Sequence, residues 1–174
     1  MSLIFRFRML SDENDNFVRD YEVRYDMTLL EFHNFLLETL EYEPCMASFF
    51  TADKLWEKQR EFTLMDMGDG ETGGASEKME DVCLGQIIHN QRDRLIYLFD
   101  MFGDRAYYLE LTGAFKEEEG DGVFPREIFA RAEVPDQYDP SKNVIEESEE
   151  QSAFDEMMSD FNEFEGDDNY DDEY

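Results

Sequence analysis

Apolar and polar residues alternate with a period of two in four stretches of this chain. From Leu3 to Leu10, the residues Leu3, Phe5, Phe7 and Met9 alternate with Ile4, Arg6, Arg8 and Leu10, as expected of a strand with one face on a core. After the polar break SDENDN the pattern returns, with Phe17, Tyr21, Val23 and Tyr25 on one side and Asp20, Glu22 and Arg24 on the other. Arg19 falls on the apolar side, where a guanidinium must find a carboxylate or reach solvent along its stem. Shorter strand candidates run from Ala47 to Thr51 and from Arg60 to Met67, with Trp56 between them as a large apolar side chain.

The densest apolar stretch is DRLIYLFDMFGDRAYYLEL, from Asp93 to Leu111. Two strand-like runs flank Gly103-Asp104, which predicts a two-residue hairpin with Gly103 at the φ > 0 position of a type II′ turn. That turn sets Ile96, Leu98, Asp100 and Phe102 opposite Leu111, Leu109, Tyr107 and Arg105. The other face would carry Tyr97, Phe99 and Met101 opposite Glu110, Tyr108 and Ala106. Both faces are largely apolar, so the hairpin is expected at the centre of a sheet with something packed on each side.

Helical spacing appears twice. Thr28 with Glu31 three positions on is a capping-box pattern, and Leu29, Phe32, Leu36, Leu37 and Leu40 then recur on one face up to about Tyr42, ahead of Pro44. His33 lies on that face, where a hydrogen-bonded core role is expected. Val82, Leu84, Ile87 and Ile88 mark a short second helix within Asp81 to Asn90. The glycine-rich acidic segment beginning at Asp66 and the EEEGDG segment read as loops. VFPREIFARAEVPDQYDP reads as an irregular, proline-punctuated segment lying across the domain. The expected fold is α+β: a mainly antiparallel sheet with one long helix packed across it and a short second helix.

Charge narrows the choice of partner. The chain has 174 residues, 45 acids and 15 bases, for a net charge of −30. Direct binding to a nucleic-acid backbone is therefore disfavoured, while a basic protein surface is a plausible partner. Residues 141–174 hold 14 of the acids and one Lys, the composition of a largely disordered tail after a single domain over 1–140. Within the tail, Phe154, Met157, Met158, Phe161 and Phe164 recur at helical spacing after Ser152 and Asp155. An amphipathic helix of that kind can dock in a partner's groove. Cys45 and Cys83 have no CxxC spacing and suggest neither a disulfide framework nor zinc. The apolar start is broken by Arg6 and Arg8 and is too short for a signal peptide, and no membrane-spanning run follows. The expectation is a soluble cytoplasmic protein.

Catalytic motifs were sought residue by residue. Asp12, Asn14 and Asn16 begin like a calcium loop, but Phe17 stands where the turn glycine belongs and Val23 where the bidentate acid belongs. Gly68 and Gly73 have Walker spacing, followed by Gly74 and Ala75 in place of Lys and Ser or Thr. His33 and His89 stand apart, and no nucleophile-base signature occurs. No cofactor is indicated. Polar groups gather only where the central hairpin turns, so Arg19, Asp100, Asp104, Arg105 and Tyr107 form the candidate binding surface, with Asp100 expected to meet Arg105 and Tyr107.

Arg19 with Tyr21 and Val23, then Thr28-Leu29 with His33 and Leu36, then Phe102-Gly103-Asp104, resemble the Ri-plasmid ORF-3-like family as a divergent member. The resemblance covers about Leu3 to Tyr138 and includes Phe124-Pro125-Arg126 and Val134-Pro135. The family's tyrosine-aspartate before FGD appears here as Phe99-Asp100 with Met101 inserted, and its following tryptophan is absent. The resemblance implies an α+β domain, an association with plasmids and mobile elements, and no established activity. Three functions stay open: a binding or adaptor module for another protein, an acidic nucleic-acid mimic, and a small enzyme at the 100–107 turn.

Overall fold

The structure is a computed structural model, and it describes residues 2–65, 77–118 and 122–141. Its contacts divide the chain into two units, Met1–Val134 and Pro135–Tyr174. In the second, the described residues form successive side-chain-capped turns: the Asp136 carboxylate accepts from the amides of Tyr138 and Asp139, and that of Asp139 from Ser141.

The first unit is a sheet of eight strands. In chain order these are β1 (Ser2–Ser11), β2 (Val18–Arg24), β3 (Ser48–Ala52), β4 (Lys58–Thr63), β5 (Glu77–Lys78), β6 (Arg94–Asp100), β7 (Arg105–Glu117) and β8 (Arg126–Arg131). Their spatial order is β5-β4-β3-β6-β7-β1-β2-β8. All pairs are antiparallel except β4 with β5. Two α-helices, α1 (Leu29–Leu40) and α2 (Leu84–Ile87), complete the α+β fold. The expected central position of the β6–β7 hairpin is observed.

The α1 helix begins as its sequence requires. Thr28 Oγ1 accepts from the Glu31 amide at 3.1 Å, and the Glu31 carboxylate accepts from the Thr28 amide at 2.9 Å. It ends at Leu40, three turns long, two residues earlier than expected. Glu41 takes the left-handed conformation at φ 57° and caps the last turn. Its buried stripe crosses four strands. Phe32 stacks on Phe49 of β3 at 5.6 Å and lies 5.8 Å from Phe7 of β1, Phe35 meets Tyr21 of β2, and His33 meets Tyr97 of β6. This is the main core.

The opposite face of the sheet is covered differently. Around β6 it carries a small apolar cluster of Phe50, Ile96, Leu98 and Ala106, with Trp56 and Tyr108 packed against it. Across this face run cross-strand ion pairs. Between β6 and β7 Arg94 lies 3.2 Å from Glu110; toward β1, β2 and β8, Arg8 and Asp20 bond in a bidentate fork at 2.8 Å, and Glu22 accepts from both Arg6 and Arg126.

Two expectations give way. The segment read as irregular contains β8, which pairs with β2; six residues of REIFAR are enough for a strand when a neighbour supplies the pairing, and the flanking prolines masked it. The hairpin register also differs. Tyr97 pairs with Tyr107 and Leu98 with Ala106, whereas Asp100 pairs with Arg105, so Phe99 is an extra residue, a bulge on β6. Four residues, Met101 to Asp104, form the turn, and the left-handed residue is Asp104 at φ 54° rather than Gly103. Gly103 is needed for another reason: a Cβ there would lie 2.8 Å from Asp100 Oδ2, whose partner Oδ1 accepts the Gly103 amide at 3.0 Å. Relative to the predicted pairing the strands have slipped by three residues, an odd number, which reverses the facing of one strand against the other.

Because Phe32 is fully buried between two rings, Phe32→Ala is expected to lower unfolding free energy by about 3–5 kcal/mol, against about 1 kcal/mol for Thr28→Ala. Urea denaturation measures both. A loss below 1 kcal/mol for Phe32→Ala contradicts this account of how α1 is held.

Candidate functional site

Of the five residues singled out, Arg19, Arg105 and Tyr107 lie on the face of the sheet toward α1, and Asp100 and Asp104 belong to the tip of the hairpin. Arg105 and Tyr107, two apart on β7, both point toward α1 and are buried. Arg105 grips Glu13 through two hydrogen bonds of 2.8 Å and lies 4.0 Å from Asp100. The expected Asp100–Arg105 contact is thus present but secondary. Tyr107 does not meet Asp100. Its hydroxyl pairs with that of Tyr42 at 2.5 Å, just beyond the end of α1, because the bulge at Phe99 carries Tyr107 opposite Tyr97.

Arg19 reaches the same neighbourhood through aromatic rings. Its guanidinium lies 4.4 Å from the Phe17 ring, Phe17 is 5.4 Å from Tyr107, Tyr107 is 5.1 Å from Phe99, and Arg105 lies 4.9 Å over Phe99. A cation therefore closes each end of a three-ring row, an arrangement favoured by the negative ring faces. Arg19 also donates at 2.9 Å to the carbonyls of Val18, Arg131 and Ala132, with Glu127 at 3.7 Å. It fastens the end of β8 and the left-handed Ala132. The guanidinium expected on the apolar face is satisfied by backbone carbonyls of β2 and of the β8 end, a solution that a strand-by-strand reading cannot anticipate.

The electrostatics follow from burial and neighbours. Burial, then the adjoining Tyr42, pushes the Tyr107 phenol far above its ordinary value, so it stays protonated. Tyr21 is raised by burial, against the hydrogen bond it shares with Thr39. His33 is lowered by burial and meets the Tyr97 hydroxyl at 2.7 Å through Nδ1, the core role expected of it. Outside, Tyr108 is raised by burial and then by Asp12, with Asp104 and Glu13 adding to the effect. The Tyr108 hydroxyl donates to Asp12 at 3.4 Å. The tip itself is apolar: Phe102 is 105% exposed and Met101 42%.

The arrangement does not assemble a converging catalytic set from the five candidates. Arg19, Arg105 and Tyr107 hold the fold, and Asp100 and Asp104 shape the tip. Sequence reasoning missed Glu13, Tyr42 and Phe17. The acidic run containing Glu13 carries only an incomplete calcium-loop pattern, and its Arg partner is 92 positions away. Among the described residues, no group of three His, Cys, Asp or Glu side chains could hold a metal ion, Cys45 and Cys83 form no disulfide, and no helix is long and apolar enough to cross a membrane. The predicted tail helix with Phe154, Met157, Met158, Phe161 and Phe164, like the glycine-rich segment 66–76, lies outside the described residues.

Two outcomes test these assignments. Glu13→Gln removes the bidentate partner of a buried guanidinium and should cost about 2–3 kcal/mol, with Arg105→Met added to it recovering part of the loss; a double variant no better than the single one contradicts the pairing. For His33 the folded-state pKa is depressed below 6.5, so the unfolded chain takes up the proton first. Its contribution is complete above the unfolded value and disappears as pH falls through the folded one. Stability should therefore decline below pH 6.5, and more shallowly in His33→Gln, as read by denaturant midpoints between pH 7.5 and 5.

A family model described as plasmid pRiA4b ORF-3-like protein matches residues 4–169. Among solved structures, the chain is similar to a crystal structure of a protein of unknown function from Methanosarcina mazei Go1, with a TM-score of 0.65 at 15% identity over 84% of this chain and 81% of that one. At that identity the likeness establishes the fold alone. No curated protein matches the sequence.

Proposed function

This chain belongs to the plasmid pRiA4b ORF-3-like family, and we propose that it is a cytoplasmic binding module for another protein, docking through the tip of the β6–β7 hairpin. The observation that carries this reading is Phe102, a phenyl ring wholly exposed at the tip. Exposing a phenyl ring beside Met101 forgoes the burial that the core rings Phe7, Phe32 and Phe49 obtain, and such side chains supply much of the energy at protein interfaces. Asp104 in the turn and Asp12, which accepts from the Tyr108 hydroxyl at 3.4 Å, add acidic groups beside the tip, and this suits a partner with an apolar pocket and a basic rim.

Edge-strand pairing is the weaker route. The β8 edge is exposed throughout, but its register shifts between Asp20 and Tyr21, leaving Ile128 as an extra residue, and Arg126 and Arg131 stand at its ends. A bulge and flanking cations are devices that discourage a further strand. The acidic-mimic reading relies on charge alone, and salt separates the two: an aromatic anchor keeps its affinity as ionic strength rises, whereas mimicry of a phosphate backbone loses it steeply.

The test compares the full chain, Phe102→Ser and a truncation after Ser141 for binding to a basic protein captured by the full chain and then purified. Phe102→Ser should cost about 2 kcal/mol, some 30-fold in Kd, with the truncation unchanged and most of the affinity retained at high salt. Loss of binding in the truncation with Phe102→Ser unaffected assigns the contact to the tail and overturns docking at the tip.

A further inference from the structure

A cleft of about 570 Å³ opens at the end of β7 remote from the tip. Its existence follows from the pairing of β1 with β7, which shifts between Arg6 and Phe7: Arg6 pairs with Gly113 and Phe7 with Leu111, leaving Thr112 as an extra residue. The Thr112 hydroxyl donates to the Arg6 carbonyl at 3.1 Å and holds the bulge. Beyond it comes Gly113, and a Cβ built there would meet nothing within 4 Å. Empty space stands in front of this strand where a side chain would otherwise fill it.

The chemistry of the walls is unusual for this protein. Charged residues make up 34% of the chain, yet among the described residues none of the eleven lining the cleft is Asp, Glu, Lys or Arg. Leu3, Phe5, Ile88 and Leu111 supply an apolar floor. Tyr25, His89 and Asn90 supply a phenol, an imidazole and an amide at the walls, and among the described residues no hydrogen bond is made by the side chains of His89 or Asn90. The loop that presents them is itself held, since the amides of His89 and Asn90 both donate to the Asp93 carboxylate, at 2.8 and 2.9 Å. Tyr25 is fixed too: its carbonyl accepts the Gly85 amide at 2.7 Å, and its ring lies where a Cβ on Gly85 would come within 2.8 Å of it.

We propose that this cleft is a binding site for a small, neutral, planar heteroaromatic molecule of nucleobase or nucleoside size. The volume falls within the range of small-molecule sites, and an apolar floor with a few fixed polar groups at the walls matches their usual make-up. Flat ring faces suit the Leu and Phe floor, and ring-edge nitrogens and carbonyls suit the imidazole and amide. A phosphate or carboxylate has no cation to meet here, and the net charge of −30 repels it. The neutral form of such a ligand is therefore preferred over its phosphorylated form.

Saturation-transfer NMR on the full chain with adenine, adenosine and AMP as probes tests the site. Adenine or adenosine should receive saturation at millimolar concentration, AMP should bind at least tenfold more weakly, Gly113→Leu should abolish the signal, and Asn90→Ala should reduce affinity several-fold. Leucine is compatible with the strand geometry at 113, and a dispersed amide spectrum checks folding. If that variant does not fold, Asn90→Ala on the exposed loop carries the test. Absence of transfer to both neutral probes, binding of AMP as tight as that of adenosine, or neutral-probe binding unaltered in Asn90→Ala and in folded Gly113→Leu each overturns the proposal.

Discussion

One extra residue in the central hairpin sets which side chains the helix can reach. With Phe99 bulged, Leu95, Tyr97 and Phe99 of β6 and Tyr107, Leu109 and Leu111 of β7 all face α1 and enter one core. Pairing without the bulge and with a two-residue turn would have placed Tyr107 against Asp100 and turned half of these rings to the other side. Side-chain facing in a strand has a period of two, so an odd slip exchanges faces wholesale and no rotamer change repairs it. The contacts at the end of α1, Tyr42 with Tyr107 and Phe99, and the row of rings between Arg19 and Arg105, depend on that parity.

The second constraint is charge. An eight-stranded sheet whose helices pack on one face needs cover on the other, and here much of that cover is ionic. Glu22, nearly buried, accepts from Arg6 and Arg126 together; burial alone would raise its pKa, and the two guanidinium hydrogen bonds outweigh it and leave the carboxyl below its ordinary value. Arg94 contributes twice, paired with Glu110 and lying 4.5 Å from the Trp56 ring. Individually such half-exposed pairs contribute little. Their value lies in register: each is a specific cross-strand partnership, so a slipped pairing of β1, β2 or β8 would set like charges or unpaired charges opposite one another.

These two constraints explain which features were legible in the sequence. The start of α1 was readable because a capping box is local, its donors and acceptors lying three positions apart. The strands β1 and β2 were readable because one face is apolar and the other charged. Hairpin register was not, since a bulge at Phe99 is imposed by what packs on Tyr107 and Phe99, Tyr42 among them, and nothing within 93–111 encodes that. The β8 strand was hidden by short length and flanking prolines, and its fastening depends on Arg19, more than a hundred positions earlier. At the candidate surface, the concentration of polar groups in the sequence pointed to the hairpin turn. It could not distinguish residues that serve the fold from those presented to solvent, because that distinction depends on the facing of β7.

The same strand also separates the two surfaces of interest. β7 begins at the tip, with Arg105, and passes the cleft at Leu111 to Ala114, so at about 3.3 Å per residue the two lie roughly 20–30 Å apart. Between them β7 is paired on both sides, with β6 and with β1, and its side chains toward α1 are close-packed. A strand held in this way has no second register of similar energy, and coupling between distant sites requires an element with two discrete arrangements. Occupation of the cleft therefore has no route along β7 to reshape the tip. On the proposed reading, a partner at Phe102 and a small molecule beside Gly113 would be independent ligands, and any linkage between them would have to come from loops or from the partner reaching across.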